Sequence, residues 1–229
     1  MPAKGSILGD RPLEALLAGP GVEQVLELRS PAVGFLALHG GSQDRMSDVI
    51  AARAARLSGA SLYAIVQPSD SRWHLPSHRH DPDQAPALRS FLAHVDVVVS
   101  VHGYGRDGLW MDSEHIHFPH RPVTEADTFQ IGGGHRPLGE RLAAALSSRL
   151  PSFPVRCFEQ ALRGARGAHP RNPVNLTSGG GVQLEVPPGP RGLRPGCPSA
   201  VPVLAELLAE LVGDLTGGGG RAVRAPAGR

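Results

Sequence analysis

Residues 22–28 alternate apolar and polar positions, the pattern of a strand with one face in water. Residues 33–38, by contrast, run continuously apolar, as in a strand covered on both faces, and end in His39-Gly40-Gly41. Apolar residues at helical spacing over 45–57 and a further strand over 61–66 complete one β-α-β unit. Residues 85–94 predict a second helix. The β-branched run 95–101 predicts a buried strand that ends in His102-Gly103, so two separate strands each deliver a histidine to a glycine turn. Further along, the pattern predicts strands over 129–133, 153–158 and 181–186, and helices over 136–150 and 201–212. A polar stretch over 104–126 reads as a long loop near the mouth of the site. Residues 164–181 read as a Gly/Asn/Pro loop, and the Gly-rich end as a disordered tail. The expected architecture is one α/β domain over 1–214 with a tail over 215–229, its central sheet mostly parallel or mixed and flanked by helices. In such sheets ligands sit beyond the carboxyl ends of the strands, the edge that His39 and His102 occupy.

Composition narrows the function. At 229 residues with 41% hydrophobic residues the chain is long enough for one substantial core. Its net charge of +2 comes from interspersed charges without a basic stripe, which argues against nucleic-acid binding. Cys157 and Cys197 lie far apart and outside any CxxC pattern, so neither a cysteine zinc site nor a disulfide framework is expected. There is no signal-like start and no run of 18 apolar residues. The expectation is a protein that does not enter a membrane and resides in the cytoplasm, with its oligomeric state open.

Catalytic zinc takes three protein ligands from His, Asp or Glu and keeps a fourth position for water. His39, Asp44 and His102 supply three such donors: a histidine at a strand end, two glycines that allow a sharp turn, a carboxylate five residues on, and a second histidine from another strand end. Spacing alone leaves a second reading open, in which the histidines are polar strand caps and Asp44 is a helix N-cap. In the same way Glu185 reads from its position alone either as a catalytic carboxylate or as an exposed strand residue.

Three stretches together resemble the poly-γ-glutamate hydrolase family: Leu38-His39-Gly40-Gly41-Ser42-Gln43-Asp44, Ser100-Val101-His102-Gly103-Tyr104, and Asn172-Pro173-Val174-Asn175 followed by Gly181-Val182-Gln183-Leu184-Glu185. The resemblance covers residues 22–191 in order. It implies a zinc-carboxypeptidase-like fold, Zn2+ held by His39, Asp44 and His102, and Glu185 as the base that takes a proton from a metal-activated water and passes it to the leaving amine. The family's usual acidic ligand is glutamate; Asp44 is shorter by a methylene, so either its loop sits closer to the metal or metal affinity falls. The implied substrate is an anionic γ-linked glutamyl polymer or peptide, with Arg171, Arg191, Asn172, Asn175 and Tyr104 as candidate contacts. Two departures stand out: Leu176 where the family often has arginine, and Pro188 where a basic residue is common. An N-acyl amino acid deacylase of related fold, or a non-catalytic binder of an acidic polymer, are the alternatives. His74, His78, His80, His115, His117 and His120 form a further cluster, as a second metal site or a rim near the pocket.

Overall fold

A computed structural model describes residues 11–70, 73–105, 110–111, 116–117 and 127–216. In chain order the elements are α1 (Leu13–Leu17), β1 (Glu23–Glu27), β2 (Ser30–Gly41), α2 (Ser47–Ser58), β3 (Ala60–Gln67), α3 (Pro86–His94) and β4 (Val97–Gly103). There follow β5 (Trp110–Met111), β6 (Ile116–His117), β7 (Phe129–Gly132), α4 (Arg136–Arg149), β8 (Val155–Cys157), β9 (Gly181–Val186) and α5 (Val201–Thr216). Seven strands form one sheet in the order β1-β3-β2-β4-β9-β7-β8, while β5 and β6 pair antiparallel as a separate ribbon. The central strands β3, β2, β4 and β9 are mutually parallel; β1 joins β3 antiparallel, and β7, with β8 parallel beside it, joins β9 antiparallel. The sheet is therefore mixed and flanked by helices, as the pattern of elements implied.

Each face of the sheet has its own core. Val33, Phe35 and Ala37 of β2, Val97, Val99 and Val101 of β4, and Val182, Leu184 and Val186 of β9 meet α2, α4 and α5. Leu36 and Leu38 of β2 with Val98 of β4 meet α1, α3 and the segment that carries Trp73 and Leu75. Because side chains alternate along a strand, the second face also receives Ser100 and His102 of β4 and Gln183 and Glu185 of β9.

Several boundaries differ from the pattern in the sequence. The helix expected from residue 45 starts at Ser47, because Met46 takes a left-handed backbone (φ 74°) that interrupts the turn before it. The strand expected over 153–158 stops at Cys157, since Phe158 is also left-handed (φ 51°) and opens a short 3-10 turn. The loop 164–181 is broken by a 3-10 turn at Pro173–Asn175. Helix α5 runs to Thr216, two residues into the expected tail; residues 217–229, like most of the expected loop over 104–126, lie outside the described residues. Both cysteines are free thiols. No helix among the described residues is long and apolar enough to cross a membrane.

Candidate metal centre and active site

Three adjacent parallel strands, β2, β4 and β9, bring His39, His102 and Glu185 to their carboxyl ends. His102 and Glu185 are direct register partners. His39 comes to the same side by an irregularity. Between Ala37 and Gly40, β2 spends one residue more than β3 does, a bulge that breaks strict alternation and lets Leu38 and His39 both turn toward the face that holds Leu75 and His102. The glycines after it are required. A side chain at Gly41 would meet the Gln67 carbonyl at 2.1 Å, and its φ of 70° is left-handed; one at Gly40 would meet Asp48 and the Ile65 carbonyl.

Asp44 folds back under this turn, its N–H donating to the His39 carbonyl at 2.7 Å. It is not the cap of α2: that position falls to Met46, with no side-chain bond, which removes the capping alternative for Asp44. Its Oδ2 lies 3.3 Å from Nδ1 of His39 and 3.4 Å from Nδ1 of His102, and the two Nδ1 atoms are 3.1 Å apart. A tetrahedral zinc with bonds of about 2.0–2.1 Å separates its ligands by about 3.3–3.4 Å, close to each side of this triangle. The three donors are buried, at 2%, 5% and 3% exposure for His39, Asp44 and His102.

The outer contacts aim these donors inward. Nε2 of His39 donates to the Leu75 carbonyl at 2.8 Å, which in the neutral ring leaves a lone pair on Nδ1. Nε2 of His102 lies 2.9 Å from the Ser100 hydroxyl, and the Gly103 N–H donates to Oδ2 of Asp44 at 3.2 Å. Burial works against the Asp44 charge, but the adjoining His102 and His39 rings overcome it and hold the carboxyl well below the usual range. Burial lowers the His102 pKa, opposed by Asp44. A buried carboxylate facing two imidazole nitrogens within 3.4 Å is a donor set that a divalent cation satisfies. Among the described residues no other group of His, Cys, Asp or Glu converges in this way.

Glu185 is pushed up to about 8, first by burial and then by the Asp44 charge, with the Gln183 hydrogen bond and the Arg191 charge pulling the other way. Nε2 of Gln183 donates to Oε1 of Glu185 at 3.0 Å, and Nδ2 of Asn172 donates to Oε1 of Gln183 at 2.9 Å. Asn172, expected as a substrate contact, is therefore the outer member of a relay that orients the carboxylate.

The remaining expected contacts are spent inside the fold. Asn175 donates to the carbonyls of Gly167 and His169 and accepts from the Gly134 N–H, bracing the loop before β9. The Tyr104 hydroxyl donates to the Thr128 carbonyl and accepts from the Thr128 N–H, with its pKa pushed up by burial. Arg191, 3% exposed, packs on Gly103, where a Cβ would meet its Nη1 at 2.3 Å. Its guanidinium donates to the carbonyls of Pro187, Arg45, Tyr104 and Gly105, tying together the loops that follow β2, β4 and β9. Of the five, only Arg171 is exposed.

The histidine cluster splits. His74 and His80 pack on His39, with ring centres 5.0 and 5.2 Å away; burial lowers His74 to about 4 and His80 well below its usual range, so both stay neutral. His78 faces the other way and stacks on His169 at 4.4 Å. His115 and His120 and the side chain of His117 lie outside the described residues. The motifs by themselves assign no role to Gln183 or Ser100. Each is a polar residue in an apolar strand, two positions before the group it holds, and that spacing is the signal that marks them.

Comparison with known proteins places the fold. A phage protein described as bacteriophage poly-γ-glutamate hydrolase superposes with a TM-score of 0.66 at 21% identity, covering 87% of this chain and 92% of that one. A zinc-free form of YndL gives 0.60 at 18%, covering 89% and 92%, and the gene product Atu2144 from Agrobacterium tumefaciens gives 0.52 at 13%, covering 85% and 95%. At these identities the likeness concerns the fold. No curated protein sequence matches the chain. The sequence model for poly-γ-glutamate hydrolases matches residues 22–194, a span that contains both histidines, Asp44, Gln183 and Glu185. The chain belongs to the poly-γ-glutamate hydrolase family.

Proposed function

We propose that this protein is a zinc-dependent hydrolase of amide bonds in γ-linked glutamyl polymers or peptides, with His39, Asp44 and His102 as metal ligands and Glu185 as general base and acid. The observation that carries the reading is the triangle of His39, Asp44 and His102 donors, with its zinc-like edges, beside a carboxylate on the neighbouring strand. When bound, zinc supplies Lewis acidity, lowering the pKa of water and drawing electron density from an amide carbonyl.

Proton movement falls to Glu185. Its carboxylate takes a proton from the attacking water and returns it to the nitrogen of the leaving amine, work suited to a group raised toward neutral pH. A cation nearby favours its charged form, so the loaded site begins with the base ready to accept. Gln183 holds Oε1, so the other oxygen is the one that carries the proton. Arg191 ties together the loops that follow the strands carrying His39, His102 and Glu185, and its charge also favours ionised Glu185.

The test pairs elemental analysis of the purified protein with product analysis on γ-glutamyl oligomers. About one zinc per chain and release of shorter glutamyl products are expected. Cleavage of N-acyl amino acids with the oligomers left intact would move the assignment to a deacylase. Tight binding without turnover at saturating zinc would make the protein a binder of acidic polymer.

A further inference from the structure

Beside the segment that follows β3 lies a cavity of about 510 Å³ whose lining joins Arg11, Arg79 and His78 to Arg171 and Leu176 of the loop before β9. Arg11, Arg79 and Arg171 line it beside one acidic residue, Asp81, one oxygen of which already accepts the Asp83 N–H at 2.9 Å. Neither Arg11 nor Arg171 forms an ion pair with any described residue. The crowding is felt locally: burial and then the charges of His169, Arg171 and Arg79 lower the pKa of His78. Like charges gathered on a concave surface raise the local concentration of counter-ions and favour an anionic ligand.

The two walls of this cavity lead to the two halves of the chemistry. One wall includes Leu75, whose carbonyl accepts from Nε2 of the ligand His39. The other carries Arg171, whose neighbour Asn172 holds Gln183 and through it Glu185. A γ-linked glutamyl chain presents methylenes along its backbone and a carboxylate on every residue. The cavity offers the matching surfaces, Leu75 and Leu176 for the methylenes and guanidinium groups for the carboxylates.

From this arrangement we infer that the cavity is an anion subsite that seats the carboxylates of glutamyl residues flanking the bond to be cut. The inference rests on the proposed glutamyl substrate and adds to it a preference for longer chains, set by Arg11 and Arg171. The 43% exposure of Leu176 leaves its side chain open to such a ligand.

The test is equilibrium binding of fluorescent γ-glutamyl hexamer and dimer to the zinc-loaded Glu185→Gln protein, alone and with Arg171→Glu or Arg11→Glu added. Both arginines are exposed, and melting curves verify that each variant folds. Hexamer affinity is expected to fall at least about tenfold in each charge reversal, with the hexamer-to-dimer ratio collapsing toward one and the salt dependence of binding becoming weaker. Hexamer binding unchanged by both reversals, or absent from the parent protein, overturns the subsite. The two readings fail separately. Variant-sensitive hexamer binding by a wild-type protein that cuts no glutamyl bond keeps the subsite and removes the hydrolase. Cleavage by the wild type with insensitive binding removes the subsite alone.

Discussion

On the face that meets α2, α4 and α5, strands β2, β4 and β9 contribute Val33, Phe35, Ala37, Val97, Val99, Val101, Val182, Leu184 and Val186, all apolar. On the opposite face the same strands start apolar, with Leu36, Leu38 and Val98, and turn polar toward their carboxyl ends, with Ser100, His102, Gln183 and Glu185. The contrast teaches how one sheet carries both stability and chemistry. A polar group on the buried face without a partner costs about 1–3 kcal/mol, so the helix-covered side excludes them. On the other side each polar group is placed where a second one satisfies it: Ser100 for His102, Gln183 for Glu185, Asn172 for Gln183.

The contrast can be broken most severely at the proposed metal ligands. Replacing His39 and His102 together by alanine is expected to reduce bound zinc from about one per chain to background and to abolish hydrolysis. Metal content equal to wild type by elemental analysis would remove both from the ligand set. Next in size is Glu185→Gln, which should keep the metal and lose about 10²- to 10⁴-fold in kcat. An unimpaired variant would exclude Glu185 as the base.

Residues 183 and 184 sharpen the comparison, since neighbours in one strand point to opposite faces. Leu184→Ala opens a cavity in the helix-covered core and should cost about 2–5 kcal/mol in denaturant unfolding, while kcat per folded molecule holds. Gln183→Leu, of similar volume, leaves the buried Asn172 amide and Glu185 without their partner, so it should cost about 1–3 kcal/mol in unfolding and lower kcat about tenfold, with KM and zinc content little changed. A loss of kcat from Leu184→Ala equal to that from Gln183→Leu would erase the distinction between the faces.

A further effect concerns pH in the metal-free protein. The Glu185 carboxyl titrates at about 8 in the fold against an ordinary value of 4.5, so between these the folded state holds a proton that the unfolded chain has released. Stability from this group is full below about pH 4.5 and falls as pH rises through 8. The melting temperature of metal-free wild type relative to Glu185→Gln should therefore be lower at pH 8 than at pH 5. A constant difference across that range would mean that the carboxyl is not raised. Asp44 acts in the opposite sense, its contribution being lost as pH falls below the ordinary aspartate range.

The fold, and the convergence of His39, Asp44 and His102, were legible because local rules write them into the chain. Continuous apolar runs marked β2 and β4, and glycines after each histidine marked their ends. The internal bonds of the expected substrate contacts were not legible in the same way. Asn172, Asn175, Tyr104 and Arg191 are polar residues beside the motif, and nothing nearby in the sequence tells a group that faces substrate from one that braces a loop. Arg191 shows why: it bonds the carbonyl of Arg45, 146 residues away, and those of Tyr104 and Gly105, a set of partners that exists only once β2, β4 and β9 lie side by side.

By itself, then, the sequence determined the order of strands and helices, the glycine turns and the identity of the two imidazoles and the carboxylates, since backbone sterics and apolar period act over a few residues. Tertiary structure alone decided that a bulge in β2 swings His39 to the side of His102, that a left-handed Met46 separates Asp44 from α2, and that Gln183 grips Glu185. These outcomes depend on which strands become neighbours, and that order is set by burying two cores at once rather than by any local stretch of chain.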